Sequence, residues 1–466
     1  MSSPLTSAVS SSTPANPRSR VILASLIGTS IEFYDFYVYA TAAVLVFPTL
    51  FFPSESAIAS QLSSFAVFGA AFVARPIGSI LFGHFGDRIG RKGTLVASLI
   101  TMGVATFIIG ILPTALTPGW AVLAPLLLVI MRFAQGIGLG GEWSGAALLA
   151  TENAPAGKRA IYGTFPQLGA PIGFIIANAL FLILSLTIAP ASFLAWGWRV
   201  PFLASAVLVI IGLYVRLKLV ETPAFARVVE SGAVAKLPLA RVFHTSWRPL
   251  VLGTFIMLAT YVLFYLMTAF TLTFGTTPSN AKDAAAAASA AGKPFNPDAF
   301  VAGLGYSRNS FLVMLIVGCV FFGIFTLVAG PLAERFGRRK TLLATTVGII
   351  VFGFLFVPLF GAGPVGVNAL LIIGFTLMGL TFGPMGAVLP ELFPTNVRYT
   401  GSAISYNLAS ILGAALAPII AVTLWQAAGG STWLVGIYLS GSAVITLVAL
   451  LISKETRDID YEANVS

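Results

Sequence analysis

Twelve apolar runs, each long enough to cross a bilayer as a helix, constrain this chain more than any other feature. A helical crossing of the hydrocarbon needs about 20 predominantly apolar residues. Such runs occur at 21–48, 58–82, 94–114, 119–150, 161–188, 199–219, 249–274, 309–331, 341–360, 366–390, 399–428 and 432–453. Backbone in lipid must satisfy its own hydrogen bonds, so each run reads as a helix and the chain as an all-α membrane protein. Composition agrees, with 57% hydrophobic residues and only 9% charged, where soluble domains carry roughly a quarter charged.

Two polar phrases return at a fixed place in each half. Gly83-His-Phe-Gly-Asp-Arg-Ile-Gly-Arg-Lys92 follows the second run, and Gly330-Pro-Leu-Ala-Glu-Arg-Phe-Gly-Arg-Arg-Lys340 follows the eighth. Glu152 opens a second phrase, with Pro155 and Arg159 behind it; Glu391, Pro394 and Arg398 repeat that spacing after the tenth run. Repetition in the same order implies two related six-helix bundles, at 21–219 and 249–453. Residues 1–20 and 454–466 read as tails, the first rich in Ser, Thr and Pro and disordered. The polar stretch 220–248 reads as the linker. An external insert at 276–300 carries the run Ala284–Ala288, long enough for a short surface helix and too short to span.

Charge sets the topology. The net charge of +10 would suggest nucleic acid in a soluble protein. Here twenty of the 26 Lys and Arg fall on the tails, the linker and every second loop, which puts both termini in the cytoplasm and makes the lipid bilayer, not nucleic acid, the partner. The first run is too long and too charged for a cleaved signal peptide. Cys319 is the only cysteine, and His84 and His244 are isolated. No metal centre, disulfide, cofactor or nucleophile–base arrangement is expected, and an enzyme is excluded on that ground.

More specific phrases fill the helices: Ile31-Glu-Phe-Tyr-Asp-Phe-Tyr-Val-Tyr39, Arg75-Pro-Ile-Gly78, Gln135-Gly-Ile-Gly-Leu-Gly-Gly-Glu142, Trp196-Gly-Trp-Arg-Val-Pro201 and Pro390-Glu-Leu-Phe-Pro394. With the two repeated loops, they make the chain resemble the metabolite:proton symporter family of the major facilitator superfamily. That resemblance implies the major facilitator fold and proton-coupled symport of a small organic acid or zwitterion by alternating access. It also implies a bacterial inner-membrane location, a monomer, and the proton gradient as energy source. A proton-driven efflux antiporter and an uncoupled facilitator are the alternatives on the same fold.

Apart from Arg216 and Lys218 at the cytoplasmic end of the sixth run, six charged residues lie inside the runs: Glu32, Asp35, Arg75, Arg132, Glu142 and Arg199. A charge at mid-bilayer costs about 3 kcal/mol or more unless it is paired or faces water. Asp35 and Arg132 come out at similar depth, roughly 20 and 18 Å along their helices, which predicts a pair whose carboxylate carries the proton. Glu32, at i−3 from Asp35, is either the proton carrier itself or a cap on a polar cavity, and Tyr39 continues the same stripe. Arg75 and Glu142 lie about 12 Å from the cytoplasmic ends of their helices and form a second candidate pair. Arg199, between tryptophan-rich neighbours, suits snorkelling to head groups or a substrate contact. Gln135, Gln167, Tyr261, Tyr265 and Asn407 complete the substrate-binding candidates. The repeated loops read as a latch: ion pairs among Asp87, Arg88, Arg91, Glu152, Arg159, Glu334, Arg335, Arg338, Glu391 and Arg398 hold the two bundles together on the cytoplasmic face and break when it opens. Glycines of the fourth and fifth runs read as close-packing positions.

Overall fold

The computed structural model describes residues 18–457 and 459, apart from 55, 90, 141, 156, 218–237, 291–294, 298–299 and 395–396; side chains at 18–21, 83–92, 94–95, 216, 238–241 and 290 also lie outside the described set. Twelve long helices follow one another: α1 Arg18–Leu45, α2 Ala57–Ile89, α3 Arg91–Ile111, α4 Leu123–Glu152, α5 Arg159–Thr187, α6 Arg199–Leu217, α7 Trp247–Thr276, α8 Arg308–Phe336, α9 Arg338–Phe354, α10 Gly363–Glu391, α11 Arg398–Ala427 and α12 Trp433–Ile452. Among the described residues eight are long and apolar enough to cross a membrane, and nine if α6 is joined to the bent segment Pro190–Gly197 before it. The others fall short for visible reasons. Glu32, Asp35 and three tyrosines dilute α1, the described apolar part of α3 is Val96–Ile111, and α9 turns at Leu355 into a short helix, Phe356–Gly361.

The helices form two bundles of six. In the first, α1 packs on α5 and α6, α2 on α4, and α3 on α4 and α6; in the second, α7 packs on α11 and α12, α8 on α10, and α9 on α10 and α12. Across the divide α5 meets α8 and α10, α2 meets α11, and the last turns of α4 meet α10 and α11. Lipid supplies no hydrophobic force between helices, so contact depends on small residues that let backbones approach. A Cβ on Gly136 would strike the backbone of Ala71, which is why α4 lies so close on α2; one on Gly386 would strike the carbonyl of Gly163, so α5 and α10 touch glycine to glycine across the divide. Outward faces carry large apolar side chains such as Val207, Ile210, Ile183 and Phe354, as a lipid-facing surface requires.

The starts of α5, α9 and α11, the ends of α8 and α10, and residues 454–457 and 459 gather at one end of the molecule, called the tail face below. On the opposite face the helix Ala281–Ala290 occupies the insert, and residues 303–306 pair their backbone with the end of α7 through bonds such as Leu304 N–H to Phe274 O, 2.9 Å. Most of the linker lies outside the described residues; its end is the helix Pro238–Thr245.

Candidate functional site

Between the bundles lies a cavity of about 20 Å³ lined by Phe33, Tyr37, Arg75, Ala170, Met257, Tyr261, Phe264, Tyr265, Met378, Phe382 and Tyr406. That is room for about one water. Its chemistry is narrow: four tyrosines, three phenylalanines, two methionines and one cation. The Arg75 guanidinium rests over the rings of Phe36 and Phe72, at 4.8 and 4.7 Å, and its Nε has no hydrogen-bond partner among the described residues. Stacking on ring faces stabilises the cation where water is scarce. It also fixes the plane of a fork that can receive a carboxylate through two bonds. Arg75, Tyr261 and Tyr265 are thus the substrate candidates from the sequence that line the cavity.

The other ionisable groups do not pair as depth suggested. Asp35 is wholly buried and faces Ser205 of α6 and Thr106 of α3, while neither carboxylate oxygen makes a regular hydrogen bond among the described residues. Arg132, also wholly buried, lies over Tyr39, Phe36 and Phe68 at 4.1 to 4.9 Å and donates to Phe68 O and to Gln135 Oε1. Gln135 Nε2 donates in turn to Thr106 Oγ1 at 2.7 Å. Asp35 and Arg132 therefore form no ion pair; Gln135 and Thr106 stand between them. Tyr39 is the shelf under Arg132 and Gln135 the link, so neither reaches the cavity. Equal depth fixes one coordinate only, and the azimuth of each helix decides which side chains meet.

Azimuth also separates Glu32 from Asp35. Positions three apart on a helix differ by about 60°, and here that step straddles an edge of α1. Glu32 is buried within electrostatic reach of Tyr406 in the second bundle, while Asp35 points into the first. Glu142 accepts from Ser98 Oγ at 3.4 Å, and no ion pair joins it to Arg75 among the described residues. Arg199 does not line the cavity. Its Nη1 donates to the carbonyls of Gly110 and Leu112, at 2.9 and 2.6 Å, and its cation lies over Trp198. It satisfies carbonyls that the end of α3 leaves without an intrahelical partner.

Gln167 and Asn407 bridge the bundles instead of lining the cavity. Gln167 accepts from Trp143 Nε1 at 2.8 Å and donates to Phe382 O at 2.9 Å; Asn407 donates to Ser79 Oγ and Gly140 O. Trp143 itself stacks on Tyr406 with ring centroids 4.0 Å apart and planes 8° from parallel. Sequence reading missed Trp143 and the phenylalanines and methionines of the cavity. One signal was available: Trp143 is the single large ring in the glycine-rich phrase Gly140-Gly-Glu-Trp-Ser-Gly145.

On the tail face, Arg338 is buried between two carboxylates, Glu334 at 2.8 Å and Glu391 at 3.4 Å, and Glu391 accepts from Thr456 Oγ1. All four belong to the second bundle or its tail. Crossing to the first bundle, among the described residues, are the bonds Ala160 N–H to Glu334 Oε1, 2.6 Å, and Arg159 Nη1 to Ile459 O, 2.7 Å, and Arg159 lies within electrostatic reach of Glu391. One contact across the divide is thus a carboxylate on a helix N-terminus, where backbone N–H groups and the dipole favour an anion. Glu455 does the same for α9, accepting from the N–H groups of Arg338 and Arg339. Arg335 lies over Phe336, Glu152 is exposed, and Arg398 donates to Phe393 O. Asp87, Arg88 and Arg91 lie among the side chains outside the described set.

Two six-helix bundles closing on a buried, mostly aromatic cavity define a polytopic carrier of the major facilitator fold. The family model for sugar (and other) transporters matches residues 21–245 and 297–463, and the chain belongs to that family within the major facilitator superfamily. It is 56% identical over 447 residues to an inner membrane metabolite transport protein, YhjE, of Escherichia coli (strain K12), covering 96% of each chain. It is 33% identical to the shikimate transporter of the same organism, over 94% of this chain and 95% of that one. The structure of the proton:xylose symporter XylE bound to 6-bromo-6-deoxy-D-glucose has a TM-score of 0.71 at 18% identity, covering 94% of this chain and 96% of that chain. At that identity the likeness carries the fold. The relatives are transport proteins, and the chain is a transporter, not an enzyme.

Proposed function

We propose that the chain is a proton-coupled symporter of a small organic acid or zwitterion in a bacterial inner membrane. It works by alternating access as a monomer, with the proton gradient as its energy source and no cofactor. The tail face is the cytoplasmic one, since the basic residues collect there. Arg75 receives the carboxylate of the substrate, and the tyrosines and phenylalanines around it hold the organic body. Asp35 carries the proton, with Arg132 as its distant electrostatic neighbour through Gln135 and Thr106. Glu334, oriented by Arg338, keeps the cytoplasmic side closed through its bond to the start of α5.

The observation that carries this reading is Asp35, a wholly buried carboxyl with no cation within ion-pair distance among the described residues. An intramembrane ionisable group is a functional site by default, and one without a counter-ion changes charge only by exchanging a proton. The relatives' names, a shikimate transporter among them, support an organic acid as cargo. A thermal-shift screen of purified protein against carboxylates, betaines and amino acids identifies the substrate. Uptake into proteoliposomes with and without an imposed pH gradient then tests coupling. Asp35→Asn is expected to abolish gradient-driven accumulation and to leave substrate binding within about two-fold. Fully gradient-dependent uptake by that variant refutes the proton site, and gradient-independent uptake by the parent refutes symport in favour of facilitation.

A further inference from the structure

We infer that Trp143 ties occupation of the cavity to closure of the tail face; the inference rests on the alternating-access reading above. Two cavity residues from the second bundle, Tyr406 and Phe382, are held from behind by this one side chain of the first. Tyr406 is held by the ring stack at 4.0 Å, the closest ring pair among the described residues. The Phe382 carbonyl is held through Gln167, which accepts the Trp143 N–H and passes its own donor across the divide.

The stack sits inside a zipper between α4 and α11. Gly140 O accepts from Asn407, Trp143 meets Tyr406, and Ser402 Oγ donates to Ser144 Oγ at 3.4 Å. On α4 these positions ascend while on α11 they descend, so the helices run antiparallel and the contacts lie on one seam leading from the cavity to the tail face. The seam's polar bonds can exchange with water when it parts. The ring pair cannot: separated, both rings lose a stacked aromatic face.

Cavity size supplies the coupling. With space for about one water, any organic occupant must displace a lining side chain. Tyr265 and Phe264 also meet rings of the first bundle, edge-on or tilted, and Tyr406 also meets Tyr261 of its own. Among the described residues the Tyr406–Trp143 pair is the one face-to-face stack across the divide, so an occupant that pushes Tyr406 sideways slides it off Trp143 and loosens the seam beside it. Trp143 is a positioning residue in this scheme. It does not line the cavity.

The test uses the full chain with Cys319→Ala and a reporter cysteine, Ser402→Cys, buried at the seam. Inside-out vesicles are labelled with an impermeant maleimide and the rate is followed. Trp143→Ala is expected to raise it about ten-fold, the size of one lost aromatic stack and one lost hydrogen bond. Trp143→Phe keeps a ring on Tyr406 and is expected to stay within about three-fold of the parent, a rescue that mere space-filling elsewhere would not produce. Gln167→Leu removes the relay alone and is expected to raise the rate about three-fold, which keeps the test open if Trp143→Ala does not fold. Parental labelling in folded Trp143→Ala, on a parent that itself labels measurably, overturns the role of Trp143. A parent that transports but whose Ser402→Cys never labels overturns the alternating-access reading instead.

Discussion

Glu334 offers the most direct measure of what holds the tail face shut. Its Oε1 accepts the N–H of Ala160, the second residue of α5, at 2.6 Å across the divide, while its Oε2 pairs with Arg338 within the second bundle. Opening the tail face breaks the first bond and leaves the second intact. The Arg338 pair therefore drops out of the open–closed equilibrium, although it still counts in stability. A hydrogen bond to a charged group contributes about 1.5–3 kcal/mol, and a carboxylate at a helix N-terminus up to about 2 kcal/mol when partly buried. Glu334→Gln keeps an acceptor and loses the charge, so its cost to the closed state should be about 1 to 2 kcal/mol, a shift of about 5- to 30-fold toward the open state. Glu334→Ala loses the whole bond and should shift it about 10- to 150-fold. Thr164 is buried on the α5 side of this seam, against Gly330 of α8. The labelling rate of Thr164→Cys in a Cys319→Ala background, measured from the tail face, reads the shift. If Glu334→Ala folds and labels at the parental rate, the contact with α5 does not hold the face closed and the reasoning fails.

Two further changes separate structure from transport. Arg199→Ala leaves the carbonyls of Gly110 and Leu112 without their donor and should cost about 1–3 kcal/mol of stability, read as a lowered denaturation midpoint, with the KM for uptake unchanged because Arg199 does not line the cavity; a raised KM at unchanged stability would return it to the substrate site. Gly386→Ala puts a methyl against the Gly163 carbonyl. It should keep the tail face from closing, lower the maximal uptake rate more than ten-fold and expose Thr164→Cys to label, whereas normal uptake would mean that the two helices part easily at that crossing.

How much of this was legible depends on what kind of information each feature needs. The helices and their division into two bundles follow from run length and from phrases repeated in order, both one-dimensional signals. Charged partners need two more coordinates. Asp35 and Arg132 do lie inside the first bundle, yet which groups they meet depends on the rotation of α1, α3 and α4, set by contacts such as Gly136 on Ala71 that no pairwise depth estimate contains. Gln167 and Asn407 were legible as polar residues wanting partners, but not as bridges, because the partner carbonyls of Phe382 and Gly140 have no side-chain signature. Glu334 was legible as part of a latch. Its partner across the divide, the backbone N–H of Ala160, was not.

The two sides of α1 have a mechanical consequence. Phe33 and Tyr37, four residues apart, line the cavity; Asp35 and Tyr39, also four apart, lie on the far side of the same helix against Ser205 and under Arg132. Residues two apart point about 200° from each other, so one rigid rod separates the two compartments. Pressure on one side is then felt on the other as translation or roll of the rod, with nothing passing through it. Such a partition lets cavity-lining residues be exchanged for a differently shaped cargo while the aspartate compartment keeps its own fittings. Stiffness of α1, more than any single contact, becomes the property that a variant with new cargo has to preserve.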